Sequence, residues 1–169
     1  MVTLKEGKIL DNWSTMLEQC QGEEEGFVRA VEAQLEAFRA PGVSWSRQTV
    51  APGWLKGLMG KKRDFLLVSH ERFDDYTFFV SARDYGTSLD VSWYLAGSLK
   101  NKLVKLAEQA TGYLPGSALF NLDVFDQQDL RAYVTVGHHA VRKAVQELVK
   151  KKNLDLAIDW KSKGMLAVS

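Results

Sequence analysis

The stretch RDFLLVSHERFDDYTFFVSARDYGTSLDVSWYLA, residues 63–96, decides the fold. β-Branched and aromatic residues dominate three runs within it, separated by polar breaks at Asp74-Asp75 and at Asp84-Tyr85-Gly86-Thr87. That pattern predicts three consecutive antiparallel strands. In the third run Leu89, Val91, Trp93 and Leu95 alternate with Ser88, Asp90, Ser92 and Tyr94, the period-2 signature of a strand with one dry face. Pairing Arg83 with Ser88 sets Phe78 opposite Trp93, Val80 opposite Val91 and Ala82 opposite Leu89, each large pair contributing about 0.2–1 kcal/mol. The reverse face then carries Phe79, Ser81 and Arg83 against Ser92, Asp90 and Ser88. In the first run, Phe65 to Val68 are all apolar, so a one-residue slip would exchange its faces. Its register, and whether His70 points at core or solvent, stay open.

Working outward, Ile9, Leu10, Trp13, Met16, Leu17 and Cys20 recur at helical spacing and predict a helix over residues 8–21. A second helix follows from Glu23 to Phe38, with Phe27, Val31, Leu35 and Phe38 as its buried stripe and Pro41-Gly42 as its stop. Glu23, Glu24 and Glu25 suit the positive end of its dipole better than they suggest a partner-binding patch. Val43 to Val50 reads as a strand, Ser98 to Thr111 as a helix and Ala118 to Val124 as a strand.

Asp126 to Asn153 reads as one long helix, with Asp126 as N-cap, a Phe125 to Leu130 staple, and Leu130, Val134, Gly137, Val141, Ala144, Val145 and Leu148 as its inner stripe. The three β-branched residues and glycine among Tyr133 to Gly137 offer a strand over 130–136 as the competing reading. Leu154 to Trp160 and Met165 to Val168 predict a closing hairpin. The sum is a single α+β domain over residues 1–169: an antiparallel sheet centred on the 63–96 meander, extended by strands near Val43 and Leu154 and packed with amphipathic helices. Whether the sheet curls around a cavity is left open.

With 22 Lys+Arg against 21 Asp+Glu, a net charge of +1 argues against a dedicated nucleic-acid binder, although a local basic patch is compatible with it. Cys20 is the only cysteine, so an internal disulfide and cysteine-rich zinc sites are excluded. No run of ~18 apolar residues occurs and the start lacks a signal-peptide pattern, so no transmembrane segment is expected and the cytoplasm is the default location.

Catalytic motifs are missing. His138 and His139 are adjacent, which points them about 100° apart on a helix and to opposite faces on a strand, and no His-Glu-x-x-His pattern accompanies them. There is no Gly-x-Ser-x-Gly elbow, and Gly60-Lys61-Lys62 precedes a strand where a phosphate loop would follow one. Neither a catalytic residue, a metal site nor a cofactor is therefore assigned. The competing enzyme reading is a small-molecule-binding or hydrolytic site with His70 or His138 against a carboxylate in a cavity of the sheet.

Two candidate binding surfaces remain. In the connector before the meander, Trp54 and Leu58 lead into Lys61, Lys62 and Arg63, an apolar anchor beside steering charge. The alternative is that Trp54 and Leu58 cap the core. On the long helix, Arg131, Thr135, His138 and Arg142 fall along one flank and could bind an acidic group, or simply border the core. The expected function is a non-enzymatic intracellular binding module. Its partner would be an acidic protein or a second copy of itself, with an anionic membrane surface or nucleic acid as alternatives.

Overall fold

A computed structural model describes residues 7–50, 63–98 and 122–169 of the chain. They form an α+β fold in the order β1 (Gly7–Leu17), α1 (Glu24–Phe38), β2 (Val43–Val50), β3 (Arg63–His70), β4 (Tyr76–Tyr85), β5 (Ser88–Ser98) and α2 (Val124–Lys151). The five strands make one antiparallel sheet in the order β1-β5-β4-β3-β2. Both helices cover the same face. The connector from 51 to 62, the helix expected after Ser98 and residues 118–121 of the expected strand lie outside the described residues.

The meander forms as expected, with its register moved by two residues. β4 and β5 join through Gly86-Thr87, with Tyr85 opposite Ser88, so Phe78 faces Leu95, Val80 faces Trp93 and Ala82 faces Val91. Gly86 supplies the positive φ of 64° that a two-residue hairpin turn needs. A shift of two leaves every side chain on its expected face. In β3, Leu66 and Val68 face the helices, while Phe65 and Leu67 join Phe79 and Ala96 in a separate buried cluster on the reverse face.

The first segment is a correction: residues 7–17 are a strand, where a helix was expected. The apparent helical spacing of Leu10, Trp13 and Leu17 arises from a strand with a β-bulge between Ile9 and Asp11, which adds a residue and mimics the longer period. Ile9 and Met16, counted in the same stripe, are exposed. The ladder to β5 overrides local periodicity.

α2 is the long helix, and residues 130–136 belong to it. Its cap differs from expectation. Asp123 is the N-cap, its side chain accepting a hydrogen bond from the Asp126 backbone N–H at 2.8 Å. Phe125 is 75% exposed, so no staple to Leu130 forms. Val124 opens the helix, where it was expected to end a strand. The whole inner stripe is buried. Gly137 allows the close approach: a Cβ there would stand 2.8 Å from the Phe78 ring.

The C-terminal hairpin is also corrected, since residues 152–169 form no ladder. Leu154, Leu156, Ile158 and Trp160 do share a half-buried face against the core. The backbone then turns to β1, where Lys163 N–H donates to Asn12 O at 2.8 Å and Met165 N–H to Leu10 O at 3.1 Å. Gly164 lies directly on Asp11, where any Cβ would overlap the Asp11 backbone.

Gly137→Ala tests the helix-to-sheet contact. Overpacking against Phe78 costs about 1–3 kcal/mol, against a helix-propensity gain of roughly 1 kcal/mol. A net loss is expected in denaturant unfolding, with partial recovery when Phe78→Leu is added. A stabilised single mutant would show the contact to be loose.

Candidate functional site

A cleft of about 520 Å³ lies between the start of α1 and the ends of β2, β3 and β4. Strand alternation places Arg47, Thr49, Asp64 and Leu66 on the helix side of β2 and β3. Glu24, Glu25 and Val28 close it from α1. Arg47 reaches across to α1 with both ends of its guanidinium, Nη1 to Glu25 at 2.8 Å and Nη2 to Glu32 at 2.6 Å. These two carboxylates hold its pKa above the ordinary arginine value, and Glu25 is held below the usual carboxylate range by Arg47 and then Arg29. Both pairs are open to solvent, so the network orients the wall more than it stabilises the fold. Thr49 Oγ1 donates to Asp64 at 2.5 Å, and Arg83 pairs with Asp90 at 2.8 Å.

Arg63 stands differently. It lines the same cleft, is half-buried, and has no carboxylate partner among the described residues. Of the other residues expected in the connector surface, Trp54, Leu58, Lys61 and Lys62 lie outside the described residues.

The helical flank does not assemble as expected. Arg131 is exposed, and Thr135 Oγ1 turns back to donate to the Arg131 carbonyl at 2.8 Å. Arg142 lays its guanidinium over the Trp160 ring, 5.2 Å from the centroid. His138 is fully buried instead of bordering the surface. One helical position from Gly137, it enters the close contact with the sheet and sits edge-on to Trp13 and Trp93, at centroid distances of 6.0 and 5.7 Å. Trp93 Nε1–H donates to His138 Nδ1 at 3.0 Å. The ring is therefore neutral with its proton on Nε2, and that buried nitrogen has no hydrogen-bond partner among the described residues. Burial, then the nearby His139 and Arg142, push the pKa down to about 4.

His70 packs against Phe73 and Tyr133 and accepts the Arg72 backbone N–H on Nδ1 at 3.2 Å. It borders a shallow depression of about 450 Å³ with Glu71 and Asp74, yet among the described residues neither it nor His138 hydrogen-bonds a carboxylate. No group of three or more His, Cys, Asp or Glu side chains among the described residues is placed to hold a metal.

The acidic triplet of α1 is engaged within the fold. Glu23 pairs with Lys151 at 3.0 Å and Lys152 at 2.8 Å at the end of α2, Glu24 accepts the Asp84 N–H, and Glu25 holds Arg47. Sequence reasoning missed Arg47 as a cleft residue and Glu32 as its partner. The available signal was the placement of Glu25 and Glu32 seven residues apart on one helix face.

His138 ties stability to pH. Its folded pKa lies below the unfolded value, so its contribution is complete above about pH 6.5 and is lost as pH falls toward 4, by on the order of 3 kcal/mol. Buried Asp11, raised by desolvation, works with the opposite sign and adds stability at low pH. Denaturant midpoints measured between pH 7 and 4 should fall in the wild type and fall less in His138→Phe. Parallel profiles would show that His138 does not titrate in this range.

Set against known proteins, the chain matches no family model, no curated protein and no solved structure, so the chemistry of the site rests on its own residues.

Proposed function

We propose that this chain is an intracellular binding module that recognises an acidic partner at the Arg63 end of its sheet. The observation that carries the reading is the contrast among the cleft arginines: Arg47 and Arg83 are neutralised by carboxylates, while Arg63 is half-buried and has none among the described residues. A guanidinium held in a cleft wall is prepared for a carboxylate or phosphate. Lys61 and Lys62 precede it in sequence, and Trp54 and Leu58 supply an apolar anchor to the same segment.

The test is the anisotropy of a fluorescein-labelled oligoglutamate peptide titrated with the protein. Arg63→Gln should weaken binding about tenfold, the scale of one charge-assisted hydrogen bond. Replacing Lys61, Lys62 and Arg63 together by Gln should weaken it further and flatten its salt dependence. Equal binding by wild type and triple variant would sink the reading. Stronger, steeply salt-dependent binding to duplex DNA or anionic vesicles would transfer it to those partners.

A further inference from the structure

The two edges of the sheet are treated differently. β1 is interrupted by the bulge at Ile9/Asp11, and the C-terminal segment bonds to its Leu10 and Asn12 carbonyls. β2 has neither protection. It runs eight residues, VSWSRQTV, in unbroken register with β3, without proline or lysine, and apart from Val43 N–H, which donates to Ala40 O in the preceding turn at 3.3 Å, its outer edge takes no backbone bond among the described residues. A long regular edge of this kind is a template for another strand.

We propose that β2 is a homodimerisation edge: two copies pair β2 to β2, antiparallel, with Ser46 opposite Ser46 of the second copy, joining their five-stranded sheets into one. The occupant is a second copy because the strand complements itself. A two-fold pairing keeps each face on its own side, so only residues of like parity meet. Centred on Ser46, the register overlaps from Val43 to Thr49 and sets Trp45 opposite Arg47, Val43 opposite Thr49 and Ser44 opposite Gln48. Guanidinium and indole then meet on both sides of the axis. Centring on Arg47 would set the two Arg47 side chains against each other and replace the Trp45–Arg47 pair by Trp45–Thr49, and centring on Trp45 would leave the Gln48–Val50 end unpaired. Glu25 and Glu32 already neutralise Arg47, so no net charge keeps the edges apart. Val43 and Trp45, half-buried in the single chain, gain cover. The proposal stands on the β2 edge, whose Arg47, Gln48 and Thr49 also line the cleft, and does not rest on the acidic-partner reading.

Light scattering after size exclusion of the full chain should give twice the monomer mass of 19.0 kDa. Ser46→Lys places like charges opposite each other and should weaken the dimer at least about tenfold, with the circular dichroism spectrum unchanged. Under oxidation Ser46→Cys should cross-link to itself, since directly opposite Cα atoms lie about 4.5–5.5 Å apart, within disulfide reach. Ser44→Cys should not, as its copies would be offset by about 13 Å along the strands. Cys20 is buried and does not compete. A monomeric wild type overturns the proposal. So does a dimer that survives Ser46→Lys, or equal cross-linking of Ser44→Cys and Ser46→Cys.

Discussion

The fold depends on how closely α2 can lie on the sheet, and Gly137 sets that distance. With no side chain at this point, the Phe78 ring fits against the helix, and the next residue, His138, reaches the indoles of β1 and β5. The Trp93 to His138 hydrogen bond specifies one ring orientation in an otherwise apolar layer. Tyr133, one turn earlier, repeats the arrangement by donating to the Val68 carbonyl at 2.6 Å, and its burial raises the phenol pKa. Two polar contacts on the buried face thus fix the helix against β3 and β5. Such contacts cost little when satisfied and are expensive when broken.

The same layer is closed on the β1 side by a segment with no regular structure. Trp160 stacks on Trp13 at 5.4 Å, Trp13 donates to the Asp159 carbonyl at 2.7 Å, and Arg142 covers the outer face of Trp160. Buried Asp11 then accepts from Ser162 Oγ and the Leu166 N–H, serving as the polar anchor of the chain end. A segment satisfied by side chains and by edge carbonyls has no need of a strand partner of its own. The covered edge of β1 follows from this, while the edge of β2 has no such cover among the described residues.

Electrostatics divides the surface by task. The charges of α1 are spent within the fold, Glu23 on α2 and Glu25 and Glu32 on β2, and Arg72 ties the β3–β4 turn to Asp126 and Asp129 of α2. Arg63, at the border of the cleft, has no carboxylate partner among the described residues. The described helices include none long and apolar enough to cross a membrane.

The sequence by itself determined which stretches form the meander, α1 and α2, and which face of each is dry. Those features repeat over a few residues, so they are written locally in Leu89, Val91, Trp93 and Leu95, in Phe27, Val31 and Leu35, and in the stripe from Leu130 to Leu148. Only the tertiary structure decided what these faces meet. Residues 7–17 became a strand because β5 offered a ladder, and the meander shifted by two because both registers bury the same side chains. His138 went inward because Gly137 brought its helix onto Phe78. Arg47 entered the cleft because β2 lies beside α1. Each of these outcomes is a contact between segments distant in the chain, and a local pattern records the polarity of a face without recording its partner.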